Sequence, residues 1–196
     1  MGSFNAKEAK ELCEANYYRG SLNHSISYID ISSNTIEVNR YKGSLDLDKI
    51  MSYKGKYIIV HQQAPTQNSS FIHPAEFNSS YLWHNGLLKF DCVQKFKSKY
   101  KDENDWDTYY ILKELQNLNF TELDGSYACL YFIDNLYMFR NNLSPLYVDD
   151  KMNISSTRFN DSISLKSERF FRVDLQRKKL IEILQFKTIE TPYFFG

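Results

Sequence analysis

Ile58-Ile59-Val60-His61-Gln62-Gln63-Ala64-Pro65-Thr66 is followed by His73-Pro74 and then by Trp83-His84-Asn85-Gly86. Tyr57-Ile58-Ile59-Val60 is aromatic and β-branched, the composition of a strand, and His61 reads as a strand-end histidine. Residues 81–90 put Asn85-Gly86 between apolar flanks, the strongest short signal for a hairpin turn. Singly, none of these pieces marks a functional site. Their order, and what lies on either side, says more.

Upstream, residues 5–18 carry a helical spacing of Leu12, Ala15 and Tyr18 among Lys and Glu, with Asn5 as N-cap. Arg19-Gly20 ends that helix, because glycine accepts the left-handed conformation of a helix stop. Residues 25–30 and 35–39 read as strands separated by a Ser-Ser-Asn turn. Downstream, residues 106–118 turn helical again, with Tyr110, Ile111, Leu115 and Leu118 on one side. Asp107 falls in the first turn, where a carboxylate suits the helix dipole. Strands follow at 127–132 and 136–140 around an Asp134-Asn135 turn, then a pair at 146–148 and 152–154, then late strands within 170–186. The expectation is one α+β domain over residues 1–196, with strands in the majority.

The bulk composition narrows the function classes. A hydrophobic share of 42% and an aromatic share of 16% suit a packed core, and 196 residues suit one domain. Lys plus Arg and Asp plus Glu are equal at 24 each, so no global field favours nucleic acid or a membrane surface. Cys13, Cys92 and Cys129 are odd in number with no short paired spacing, so neither a disulfide framework nor a metal site follows; each reads as a buried thiol. The N-terminus has no apolar run of a signal peptide, and no stretch approaches the roughly 18 apolar residues of a membrane helix. A cytoplasmic protein is the expectation. The Asn-, Lys- and Tyr-rich composition suits an AT-rich genome such as that of a phage or a low-GC bacterium.

The ordered set is more specific than its parts. It runs Tyr18-Arg19-Gly20, the strand into His61, His73-Pro74, His84-Asn85-Gly86, Asp107-Thr108 at a helix start, Gly125-Ser126-Tyr127-Ala128, and Arg140 to Ser144-Pro145-Leu146. This succession resembles the glutaminase domain of class-II glutamine amidotransferases, such as glucosamine-6-phosphate synthase and amidophosphoribosyltransferase, from about residue 5 to residue 157. The resemblance implies a four-layer αββα sandwich of two stacked antiparallel sheets, the N-terminal-nucleophile hydrolase type. It also implies a reaction in which the terminal thiol attacks the glutamine side-chain amide with its own α-amine as base, ammonia leaves, and water hydrolyses the thioester. By the same resemblance, Asn85 and Gly86 form the oxyanion hole. Asp107 holds the glutamine ammonium, Gln63 stands where an arginine holds its carboxylate, and Arg19, His61 and Thr66 support the pocket. No cofactor or metal is implied. Glutamine or a related small molecule, and a separate synthase or other protein, are the partners implied.

Two departures limit the carry-over. The family pattern begins Met-Cys-Gly-Ile, whereas this chain begins Met1-Gly2-Ser3-Phe4, and Cys13 lies inside the predicted helix. At Gln63 a neutral amide replaces the guanidinium, and it cannot form the charge-assisted bidentate pair with a carboxylate. Together they point to a catalytically inactive or altered member acting as a binding or regulatory module. Two alternatives stay open: a true glutaminase whose nucleophile strand lies upstream, and an unrelated α+β interaction domain.

Overall fold

The computed structural model describes residues 1–64 and 70–189, and at residue 19 the backbone only. In chain order the elements are β1 (Gly2–Ser3), α1 (Ala6–Ala15), β2 (Asn23–Asp30), β3 (Thr35–Lys42), β4 (Lys56–Gln63), β5 (Ala75–Phe77) and β6 (Ser80–Leu88). Then come α2 (Phe90–Tyr100), α3 (Asp107–Leu115), β7 (Gly125–Phe132), β8 (Leu136–Arg140), β9 (Tyr147–Val148), β10 (Ile154–Ser155), β11 (Ile163–Ser164), β12 (Arg169–Asp174) and β13 (Lys179–Gln185). Among the described residues these strands form two sheets. One has seven strands in the order β11-β9-β10-β1-β4-β2-β3, and the other six in the order β13-β12-β8-β7-β6-β5. The pairings are antiparallel throughout.

Strand alternation builds the layers. Successive side chains point to opposite faces, so β4 sends Tyr57 and Ile59 towards the second sheet while Ile58 and Val60 meet α1. On β7, Ala128, Leu130 and Phe132 face the first sheet, while Tyr127, Cys129 and Tyr131 join the cluster under α2 and α3. Residues 57–60 and 127–132 are apolar without a break because both of their faces are covered. Each such side chain contributes about 1.5–3 kcal/mol on burial. Helix α1 therefore covers one sheet, α2 and α3 cover the other, and the order is α, β, β, α as expected.

Three readings of the sequence need correction. Asn85-Gly86 is not a hairpin turn: it lies inside β6, with Asn85 opposite Ala128 and Gly86 opposite Tyr127. Pairing with β7 along its whole length outweighs the local turn preference of the dipeptide. The first helix is shorter than residues 5–18. It ends when the Asn16 N–H meets the carbonyls of Leu12 and Cys13, and Tyr17–Arg19 form a separate 3-10 turn. Its buried face is Ala9, Leu12 and Cys13, and Tyr18 is exposed. Helix α3 likewise stops at Leu115, and Leu118 lies beyond it at positive φ. Helix α2 was not anticipated, although Cys92, Val93 and Phe96 give it a buried stripe. The expected strands were otherwise found, within a few residues of their ends.

Candidate functional site

A cavity of about 300 Å³ opens between the two sheets. Of the residues singled out from sequence, His61, Gln63, Asn85, Gly86 and Asp107 line it, from three separate stretches of chain. Arg19 closes the 3-10 turn before Gly20, and its side chain is outside the described set. Thr66 also lies outside the described residues.

Asp107 is the first residue of α3 and is buried. Its Oδ2 accepts the Leu88 N–H at 3.0 Å, and its Oδ1 accepts the Thr108 N–H at 2.7 Å. These bonds fix the carboxylate across the end of β6, where the helix dipole also favours negative charge. His84 sits beside it, with Nδ1 at 3.8 Å from Asp107 Oδ2 and at 3.2 Å from Thr108 Oγ1. Its Nε2 lies 3.1 Å from the Ser126 carbonyl, which can only accept. Nε2 therefore carries a proton, and the Thr108 hydroxyl also donates to Asp107 Oδ1 at 3.3 Å, which ties the three side chains together.

Gly86 has φ of +140° and faces the backbone of β7 so closely that a Cβ would stand 2.1 Å from the Ser126 oxygen. Only glycine fits there. This places Asn85 and Gly86 in the cavity lining on a strand rather than on a loop. Gly20 makes a similar approach on the opposite sheet: a Cβ on it would lie 2.3 Å from the Gln63 carbonyl carbon. The Arg19-Gly20 segment thus abuts the end of β4 that carries Gln63.

A group of rings closes one side. His61 Nε2 donates to the His84 carbonyl at 3.1 Å, and its ring lies 4.1 Å from that of His73, centroid to centroid. Trp106 meets His73 edge-on at 5.1 Å and stacks on Phe71 at 5.2 Å. Burial pushes His61 down to about 3, helped by the N-terminal amine. Burial also holds His73 well below the ordinary histidine range, with His61 and His84 adding to the effect. Both rings are neutral near pH 7.

The chain terminus and the thiols complete the geometry. Met1 extends β1 along β4, exchanging hydrogen bonds with Val60 at 2.6 and 2.9 Å, and it lines the cavity. Burial lowers the pKa of its amine. A thioether cannot serve as the attacking thiolate. Cys13 packs under α1 on the outer face of the first sheet, and burial pushes its thiol up to about 12. Cys129 belongs to a strand segment that lines the cavity, but its side chain sits on the α2 and α3 side of β7. Burial, with Asp107 nearby, raises its pKa well above the thiol range and keeps it protonated. The three buried thiols read from sequence are thus buried here.

His73, Trp83, His84, Trp106, Cys129 and Met1 were not singled out for roles at the cavity. His73 and His84 belonged to the motif series, and a tighter reading of that series would have flagged them. Cys129 joins the lining only through strand register, which one sequence does not display.

No family model matches this chain, and neither does any curated protein. Solved structures do. Glutamine phosphoribosylpyrophosphate amidotransferase from B. subtilis, complexed with ADP and GMP, superposes with a TM-score of 0.62 at 14% identity, over 90% of this chain and 46% of that one. A structure described as the allosteric regulatory enzyme of purine biosynthesis gives 0.66 at 15% identity, over 91% of this chain and 46% of that one. The chain therefore spans about half the length of these neighbours. Among the described residues, no helix is long and apolar enough to cross a membrane. At such identities the likeness is one of fold: the chain has the αββα architecture of the glutaminase domain of a class-II glutamine amidotransferase.

Proposed function

We propose that this domain binds a small amide-bearing ligand in the cavity between its sheets and does not hydrolyse it, acting as a binding or regulatory module. The observation that carries the reading is the state of the thiols. The cavity has Asn85, Gly86 and Asp107 on its wall, yet the side chain of Cys129, the cysteine of that lining, turns to α2 and α3, where burial keeps the thiol protonated. A protonated thiol is a poor nucleophile, and oxyanion donors without one give only residual catalysis. Gln63 supports the same reading, because its neutral amide gives weaker hydrogen bonds to a carboxylate than an arginine would. In this account Asn85 and Gly86 donate to the ligand carbonyl, Asp107 takes its ammonium group, and His61, Thr66 and Arg19 shape the pocket. A partner protein would read the liganded state.

The test is covalent trapping. A diazoketone analogue of glutamine alkylates a reactive thiol with loss of nitrogen, and intact-mass spectrometry reads the adduct. Incubation with purified protein should leave the mass unchanged. An adduct on Cys129, on Cys13 or on the terminal residue would instead mark a working nucleophile and overturn the reading.

A further inference from the structure

The charge inventory of the cavity points to a narrower ligand class. Asp107 is its one acidic lining residue among those described, and no described lining residue is a lysine or arginine. His61 and His73 do not supply the missing cation, since burial holds both neutral. The Met1 amine donates to the Val60 carbonyl at 2.6 Å, and its proton affinity is lowered. A ligand carboxylate would enter a site with a fixed carboxylate and no strong counterion, and a buried unpaired charge is costly.

Four lining residues carry a buried polar atom with no hydrogen-bond partner among the described residues: Gln62 Oε1, Gln63 Oε1, His73 Nδ1 and Trp83 Nε1. Gln62 alternates to the α1 side of β4 with Ile58 and Val60, which leaves three for the wall between the sheets. Their residues are 6%, 6% and 3% exposed. Buried polar groups are ordinarily paired, so three on one wall are a ligand signal. Their chemistry is specific. Gln63 Oε1 is an acceptor, and the indole Nε1–H of Trp83 is a donor. His73 has a backbone hydrogen bond at Leu82, so its proton sits on that side and Nδ1 offers a lone pair. The wall therefore asks for donors at two points and an acceptor at a third, which a neutral carboxamide supplies and a carboxylate does not.

We infer that the ligand of this cavity carries a primary ammonium group and neutral amides but no free carboxylate, as in an amino-acid amide or the first residue of a peptide. The inference rests on the proposal that the cavity is a non-hydrolysing binding site, and it names the ligand class. Asp107 receives the ammonium. Gln63 and His73 accept from the amide that replaces the α-carboxylate.

Calorimetric titration of the full chain with three small ligands tests this without altering the protein. Glutaminamide should bind at least tenfold more tightly than glutamine, which differs in its carboxylate, and at least tenfold more tightly than glutaramide, which lacks the amine. The Gln63→Arg variant should reverse the first preference in favour of glutamine. Glutamine binding as tightly as glutaminamide would place a cation in the cavity, with Arg19 the candidate, and would overturn the inference. Equal binding of glutaramide would remove the role given to Asp107 and overturn it as well, as would no binding of any of the three. A tripeptide beginning with glutamine, run alongside, separates the sources: tenfold tighter binding than glutaminamide assigns the site to peptide N-termini, weaker binding to small amides, and either supports the class. Ammonia released during the titration would count against the non-hydrolysing function and leave the order of affinities readable.

Discussion

Gly86→Ala should cost the domain more than about 4 kcal/mol or prevent folding, the range reserved for severe core and backbone lesions. Gly86 holds φ at +140°, a conformation L side chains rarely adopt, and the added Cβ would meet the Ser126 oxygen at 2.1 Å. That oxygen is backbone and belongs to the central β6–β7 ladder, so neither strand can move away without losing register. Gly43→Ala separates conformational strain from steric overlap. Gly43 has φ of +83°, but an added methyl group there would meet nothing within 4 Å, so its loss should be confined to about 1–2 kcal/mol. Urea unfolding of the two variants, side by side, reads the difference. Near-native stability of Gly86→Ala would mean that β6 does not hold Asn85-Gly86 in the strand.

Acid should destabilise the domain well above the pH at which carboxylates titrate. His61 has a folded pKa of about 3, and His73 lies well below the ordinary value, while both return to about 6.5 when unfolded. The unfolded chain therefore binds more protons below pH 6.5. The stability these rings contribute is fully present above 6.5 and is lost as pH falls towards their folded values. Each removes about 1.4 kcal/mol per pH unit, and two remove about 2.7, which is large against a total of about 5–15 kcal/mol. The carboxylates with lowered pKa, such as Asp102, Glu122 and Glu168, act in the same direction but only as pH falls through the carboxylate range. The Met1 amine has the same sign and begins to act below its ordinary 8.0. Chemical denaturation between pH 6.5 and 4.5 should show the steep loss, and His61→Gln should reduce its slope by about half. A flat stability profile across that window would show that the two rings are not held neutral.

The parts of this fold that were legible in the sequence are those set by local periodicity. The strands at 57–60 and 127–132 have both faces covered, so they read as unbroken apolar runs, and Leu136 to Phe139 nearly so. The helix over Tyr110, Ile111 and Leu115 declared itself by spacing. The Asn85-Gly86 reading failed because turn chemistry is local, whereas the β7 partner that overrides it lies some forty residues away in sequence, at Ala128 and Tyr127. Helix α2 was hidden because Phe90, its first residue, served as the far flank of that supposed turn. At the cavity, Asn85, Gly86, Asp107, His61 and Gln63 were found through motif order rather than through any property of the single residues. Trp83, Cys129 and Met1 join the lining through strand register alone.

The central claim is that the cavity holds an amide ligand without cleaving it, and ammonia release tests it most directly. Purified protein incubated with glutamine, and separately with glutaminamide, should release no ammonia above the buffer baseline. The Cys13→Ala and Cys129→Ala variants should give the same flat trace. Turnover lost in Cys129→Ala would make that buried thiol a nucleophile, and turnover lost in Cys13→Ala would mean that processing exposes Cys13 at a new terminus. Turnover untouched by either change would assign the reaction to Ser3 or another group. Any of these three results would contradict the account, and a flat trace in all the proteins, with glutaminamide bound, is the result it predicts.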